Sequence, residues 1–103
     1  MTAKKIDKPY TTMTKKELTE RCREILRRTP LKQKVVDEDA EWLMDNIFPY
    51  HPEWDWYQRL PIYCIYTDKA DHGTKCFYIR WASLEKSSIS YIKCIKNINT
   101  KQP

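Results

Sequence analysis

The chain has 103 residues, 41% of them hydrophobic, with four Trp, seven Tyr and a formal net charge of +5. That length gives one small domain with a packed core and a narrow margin of stability. No apolar run reaches the length of a membrane-spanning helix and no apolar segment follows MTAKK, so neither a transmembrane helix nor a secretory signal is expected.

Residues 1–13 are polar and basic, include Pro9, and read as a flexible arm. A helix is predicted from Thr14 to near Arg28. Thr14 and Glu17 have the spacing of a capping box, in which each side chain satisfies the other residue's backbone N–H. Leu18, Cys22, Ile25 and Leu26 recur at helical spacing as one apolar stripe. Glu17 with Arg21, and Glu24 with Arg28, are four apart in the favourable order. Pro30 disfavours helix at Thr29 and ends the run.

Pro30 to Val36 reads as an extended connector carrying Lys32 and Lys34. A second helix is predicted from Asp37 to about Phe48. Asp37, Glu38 and Asp39 suit its positive end, and Ala40, Leu43, Met44 and Ile47 make its apolar face. Pro49 and Pro52 stop it, with His51 closing the turn. His51 to Leu60 is an aromatic connector. Strands are predicted at Ile62–Thr67, Cys76–Trp81 and Ser88–Ile95, from their aromatic and β-branched content between polar clusters. Asn97 to Pro103 reads as a polar tail.

This order gives an α+β fold: two N-terminal helices packed on one face of a three-stranded antiparallel meander, as a single domain over residues 14–96. If the loop ASLEKS is centred near Leu84 and Glu85, partners in the last hairpin sum to about 170. Cys76 then faces Cys94, Tyr78 faces Ile92 and Arg80 faces Ser90.

The runs CFYIR and SISYIKCI, with VVDEDAEWL and the following His51-Pro52, carry a resemblance. In one order they are similar to the signature of the DCL (defective chloroplasts and leaves) family, over about residues 25–95. The chain departs from that pattern in lacking Gly after His51-Pro52. It also has ASLEKS in place of an Asp-Gly turn, and Ser88 and Ile89 where the family has Asp and Phe. The resemblance implies an accessory role around RNA or DNA machinery. Relatives of that family include a plastid protein linked to ribosomal RNA maturation, domains ending the largest subunits of plant RNA-silencing polymerases, and small bacterial and viral proteins. It implies no catalytic residues.

Charge is divided along the chain. Residues 1–34 hold 11 basic and 4 acidic residues, residues 35–71 hold 2 and 9, and residues 72–103 hold 6 and 1. Basic ends favour an acidic partner such as nucleic acid. The candidate cations are Lys15, Arg21, Arg23, Arg27 and Arg28 on the first helix, Lys32 and Lys34 after it, and Arg80, Lys93 and Lys96 on the strands. Trp81 and Tyr91 are candidate stacking platforms, because single strands bind to aromatics beside cations. The competing reading of the aromatics is core.

The cysteines Cys22, Cys64, Cys76 and Cys94 show no close-spaced pair, so they read as small buried hydrophobes rather than zinc ligands with His51 or His72. Free thiols suit a reducing, cytoplasmic compartment. No nucleophile-and-base or phosphate-loop motif is present, and no cofactor is expected. The favoured reading is a non-enzymatic accessory domain that binds RNA or single-stranded DNA through a basic surface. The second is a protein-interaction module, such as a small viral regulator docking on a host or polymerase protein.

Overall fold

The computed structural model describes residues 13–98. The basic arm, except Met13, and the end of the polar tail lie outside the described residues. In chain order the elements are α1 (Lys15–Arg28), α2 (Asp37–Asn46), a 3-10 turn (Phe48–Tyr50), the short α3 (Trp54–Tyr57), β1 (Ile62–Lys69), β2 (Lys75–Trp81), β3 (Lys86–Ile89) and α4 (Tyr91–Lys96). The strands form one antiparallel sheet in the order β1-β2-β3, so the fold is α+β with helices preceding a meander.

Helix α1 starts where the capping box places it. The Thr14 hydroxyl accepts from the Glu17 N–H at 3.1 Å, and the Glu17 carboxylate accepts from the Thr14 N–H at 2.9 Å. Its stripe of Leu18, Cys22 and Ile25 is buried. These side chains join Leu43, Ile47 and Phe48 from the α2 region, and Ile65, Phe77, Ile79, Trp81 and Ile89 from the sheet, in one core. Alternation along β2 buries Phe77, Ile79 and Trp81 and leaves Cys76, Tyr78 and Arg80 on the other face.

The third strand differs from expectation. It ends at Ile89, and the residues after it turn into α4, whose N-cap Ser90 accepts from the Lys93 N–H at 3.2 Å. Ser90 leaves the sheet because its hydroxyl offers that N–H a partner no strand could supply. The register follows. Phe77 pairs with Ile89, Tyr78 with Ser88 and Arg80 with Lys86. Cys76 therefore faces Asp68 on β1, not Cys94, which lies buried on α4. Partners sum to 166 rather than about 170, so the turn is centred two residues earlier than expected: Trp81 N–H donates to Glu85 O at 2.9 Å, and Leu84 takes a positive φ of 77°. The polar tail also begins later than expected, since Ile98 is 2% exposed and belongs to the core.

The connector after α1 lies along the open edge of β1. Val35 N–H donates to Ile65 O at 2.9 Å, Thr67 N–H to Gln33 O at 3.2 Å and Lys32 N–H to Thr67 O at 2.6 Å. The buried Thr67 hydroxyl fastens the connector further by donating to Pro30 O at 2.8 Å. Lys34 bridges directly to Tyr66. Paired residues share a face, so Lys34 and, two residues back, Lys32 stand on the side of Tyr66 and Tyr78, away from the helices.

Candidate nucleic-acid interface

The sheet face turned away from the helices holds a cleft of about 310 Å³ lined by Lys32, Lys34, Cys64, Tyr66, Asp68, Arg80 and Lys86. Four segments build it. The edge connector brings Lys32 and Lys34, β1 brings Cys64, Tyr66 and Asp68, β2 brings Arg80, and β3 brings Lys86. The Tyr66 and Tyr78 rings stack with centroids 5.4 Å apart and an interplanar angle of 26°. Tyr78 is fixed by its hydroxyl, which donates to Lys69 O at 3.0 Å. The Arg80 guanidinium lies 5.9 Å from the Tyr66 ring centre, and its Nε is buried without a hydrogen-bond partner among the described residues. A β-bulge between Ile62 and Cys64 releases Tyr63 from strict alternation. Tyr63 is 60% exposed, and Lys34 Nζ sits 4.7 Å from its ring centre.

Burial raises the Tyr66 and Tyr78 hydroxyls above the ordinary phenol range, so both are neutral donors at neutral pH. One carboxylate enters the cleft. Asp68 Oδ1 accepts from the Lys69 N–H at 2.8 Å, and Oδ2 is 3.8 Å from Lys32 Nζ. Lys32 holds a positive φ of 66°, a conformation costly for a side chain with a Cβ. Backbone strain thus sits directly beside the cleft.

Lys32, Lys34 and Arg80 are the residues of the sequence-derived set that this face brings together. Lys86, Tyr63, Tyr66, Tyr78 and Asp68 belong with them and were missed. The signal for the tyrosines was present in the alternation of IYCIYTD and KCFYIRW, where Tyr66 and Tyr78 share parity with Arg80 once the register is set.

The other candidates lie elsewhere. Trp81 is 1% exposed, so it is core and not a stacking platform. Its indole N–H donates to Tyr57 O at 2.7 Å, and its ring stacks on Tyr57 with centroids 6.2 Å apart. The exposed Trp56 meets it edge-on at 5.3 Å, with the Arg59 guanidinium lying over both. Tyr91 is on α4, not on a strand, and packs edge-on against Phe77 at 6.0 Å.

On α1, Arg21 lies 4.7 Å from the Trp42 ring centre, and Arg23 and Arg27 are exposed. Arg28 gives both Nε and Nη2 to Asp39, at 3.1 and 2.7 Å, and contacts Glu24 at 3.4 Å. Asp39 was expected to serve the α2 N-terminus. It is instead a buried carboxylate held by Arg28, and the α2 N-cap residue Val36 has no side-chain cap. Lys15 reaches the Lys96 carbonyl at 3.4 Å, tying α1 to α4, and Lys93 is exposed on α4.

His51 is taken up structurally, its Nδ1 accepting from the Glu53 N–H at 3.0 Å. Among the described residues, no group of three or more His, Cys, Asp or Glu side chains is arranged to hold a metal ion. No described helix is long and apolar enough to cross a membrane.

The arrangement is a sheet face with aromatic rings, with Lys34, Arg80 and Lys86 outside any ion pair among the described residues, and with one carboxylate whose Oδ2 meets only Lys32, at 3.8 Å. Comparison with known proteins assigns the fold and the family without a chemistry. Residues 23–95 match the family described as "Protein of unknown function (DUF3223)", and the chain belongs to that family. No curated protein matches. An uncharacterized protein from Rhodospirillum rubrum, solved in solution by NMR, is similar in structure, with a TM-score of 0.66, 24% identity, and coverage of 79% of this chain and 77% of that one. These matches correct the DCL resemblance. The segments that suggested it fall within the DUF3223 match, and the structural relative is bacterial rather than a plant protein.

Proposed function

We propose that this domain is a non-enzymatic accessory factor that binds RNA or single-stranded DNA across the outer face of its sheet, in a reducing, cytoplasmic compartment. The observation that carries the reading is the stacked Tyr66–Tyr78 pair beside Arg80, flanked by Lys34 on one edge and Lys86 on the other. Bases have a π-face for the tyrosines, and phosphates meet the cations at the rim. A sheet face that presents aromatics is a recurrent way to hold splayed single strands, whereas a duplex offers no free base to stack. The four free cysteines support the compartment.

Fluorescence anisotropy with labelled single-stranded RNA and DNA at two or more salt concentrations tests this. Engagement of three or four phosphates gives a slope of log K against log salt of about −2 to −3. Lys34→Glu and Lys86→Glu, both at exposed positions, should each weaken binding roughly fivefold or more, and by similar factors for different sequences. Arg23→Glu and Arg27→Glu should leave it nearly unchanged. The opposite pattern would move the interface to the helix layer.

One observation favours the protein-docking reading. An apolar groove of about 420 Å³ runs beside α4, lined among others by Leu26, Ile89, Tyr91 and the 54% exposed Ile92. No salt-sensitive affinity for any polyanion, together with a protein partner lost on Ile92→Asp, would replace the nucleic-acid reading with this one.

A further inference from the structure

Within the cleft, Asp68 is out of place for a surface that only collects phosphates, because a carboxylate repels them. Its structural employment is slight. Oδ1 accepts from the N–H of the next residue, a local contact that a serine or asparagine could make. Oδ2 faces Lys32 at 3.8 Å, but Lys32 is 77% exposed, and an ion pair of that length with an exposed lysine contributes little. Oδ2 therefore retains acceptor capacity, and the Asp68 side chain is still 19% exposed.

Asp68 and Arg80 mark opposite ends of the face. Asp68 pairs with Cys76, Arg80 pairs with Cys64, and the Tyr66–Tyr78 pair lies between them. Four residues of strand separate the two ends, roughly 13 Å. A nucleotide laid on the tyrosines with its phosphate at Arg80 and Lys86 directs its far edge to Asp68.

Resting on the single-strand reading of this face, we propose that Asp68 is its specificity-determining residue. Its Oδ2, which retains acceptor capacity beside Lys32, accepts a hydrogen bond from an N–H or O–H donor of the nucleotide seated on Tyr66 and Tyr78. The donor is a base amino or imino group or the ribose 2′-hydroxyl. A carboxylate accepts and cannot donate when ionised, so it rewards nucleotides that present a donor there and penalises a phosphate or a base acceptor.

The test is a set of anisotropy titrations of wild type and Asp68→Ala with single-stranded eight-nucleotide probes, homopolymeric in each base, in RNA and in DNA. Wild type should discriminate at least fivefold within the set. Preference for RNA over DNA of the same base identifies the 2′-hydroxyl, and preference for one base in both backbones identifies the base. Asp68→Ala should bind the poorer probes more tightly, through loss of repulsion, and compress discrimination to within about twofold. If Asp68→Ala does not fold, Asp68→Asn, which keeps an acceptor for the Lys69 N–H and puts an amide N–H₂ in place of Oδ2, should abolish or reverse the wild-type preference.

Equal tightening on every probe with the preference intact would overturn the proposal, leaving Asp68 only a charge beside Lys32. Uniform binding by wild type would overturn it as well. In both cases the binding reading survives. Absence of binding by wild type and variant to every probe at low salt would instead remove the binding reading, and this proposal with it.

Discussion

Tyr66 and Tyr78 stack 5.4 Å apart across the β1–β2 pairing, on the face of the sheet turned away from the described helices. The pair contributes about 0.5–1.5 kcal/mol beyond its area burial, as aromatic pairs do. Its larger consequence is a flat apolar step among cations. Tyr78→Ala should therefore weaken single-strand binding by about 1–3 kcal/mol, the range for a lost stacking partner. Tyr78→Phe, which loses only the bond to Lys69 O, should bind nearly as wild type. Equal loss in both variants, measured by anisotropy, would assign the effect to the hydroxyl.

Lys32 separates stability from binding. Its φ of 66° suits glycine, so Lys32→Gly should raise stability or leave it unchanged, by up to about 1 kcal/mol, in urea melts. The same substitution removes a cation from the cleft and should weaken polyanion binding. A variant both less stable and weaker in binding would show that Lys32 acts through the fold alone.

His51 should make stability depend on pH. The side chain is 7% exposed, and its Nδ1 must be unprotonated to accept from the Glu53 N–H. Burial lowers its pKa from 6.5. The Glu53 charge opposes that shift, and Lys93 adds to it. The native state then binds the proton more weakly than the unfolded chain. The stabilisation is complete above pH 6.5 and is lost as pH falls below 6.5 toward the lowered native value. Denaturant melts across this window should show the decline, and His51→Gln should flatten it. A decline of equal size in the variant would place the titrating group elsewhere.

The thiols divide into two classes. Burial pushes Cys22 and Cys94 up to about 12, so neither forms appreciable thiolate at neutral pH. Cys94 also donates its S–H to Ser90 O at 3.2 Å. Cys64 and Cys76 are half-buried on the outer face. A chromogenic disulfide reagent should titrate no more than those two in the native protein and all four after unfolding. Single-strand binding should slow reaction at Cys64, which lines the cleft. Rapid native modification of Cys22 would contradict the packing of α1.

Local signals in the sequence were strong wherever a short-range contact decides the structure. Thr14 and Glu17 predicted the start of α1, and the stripe of Leu18, Cys22 and Ile25 predicted its buried face. Alternation in β2 separated Arg80 from Trp81 correctly, but not which side was core. That depends on α1 and on Tyr57, whose carbonyl binds the Trp81 indole from 24 residues away. The run Tyr91–Lys96 looked like strand from its isoleucines, yet it is helical because Ser90 caps it. Centring the loop near Leu84 and Glu85, two residues late, displaced the register and hid Lys86 opposite Arg80. The bond from Arg28 to Asp39, 11 residues apart between two helices, removes an apparently free cation and leaves no trace in either helix's own pattern.

Mapping the contact surface tests the central claim most directly. A ¹⁵N-labelled sample titrated with a single-stranded oligonucleotide, followed by backbone amide shifts, should respond at Lys34, Tyr66, Asp68, Tyr78, Arg80 and Lys86. The amides of Arg23, Arg27, Lys93 and Lys96, in the helix layer, should remain in place. Shifts concentrated on α1 and α4, or no shift at low salt with the oligonucleotide in excess, would contradict the assignment of the outer sheet face as a nucleic-acid interface.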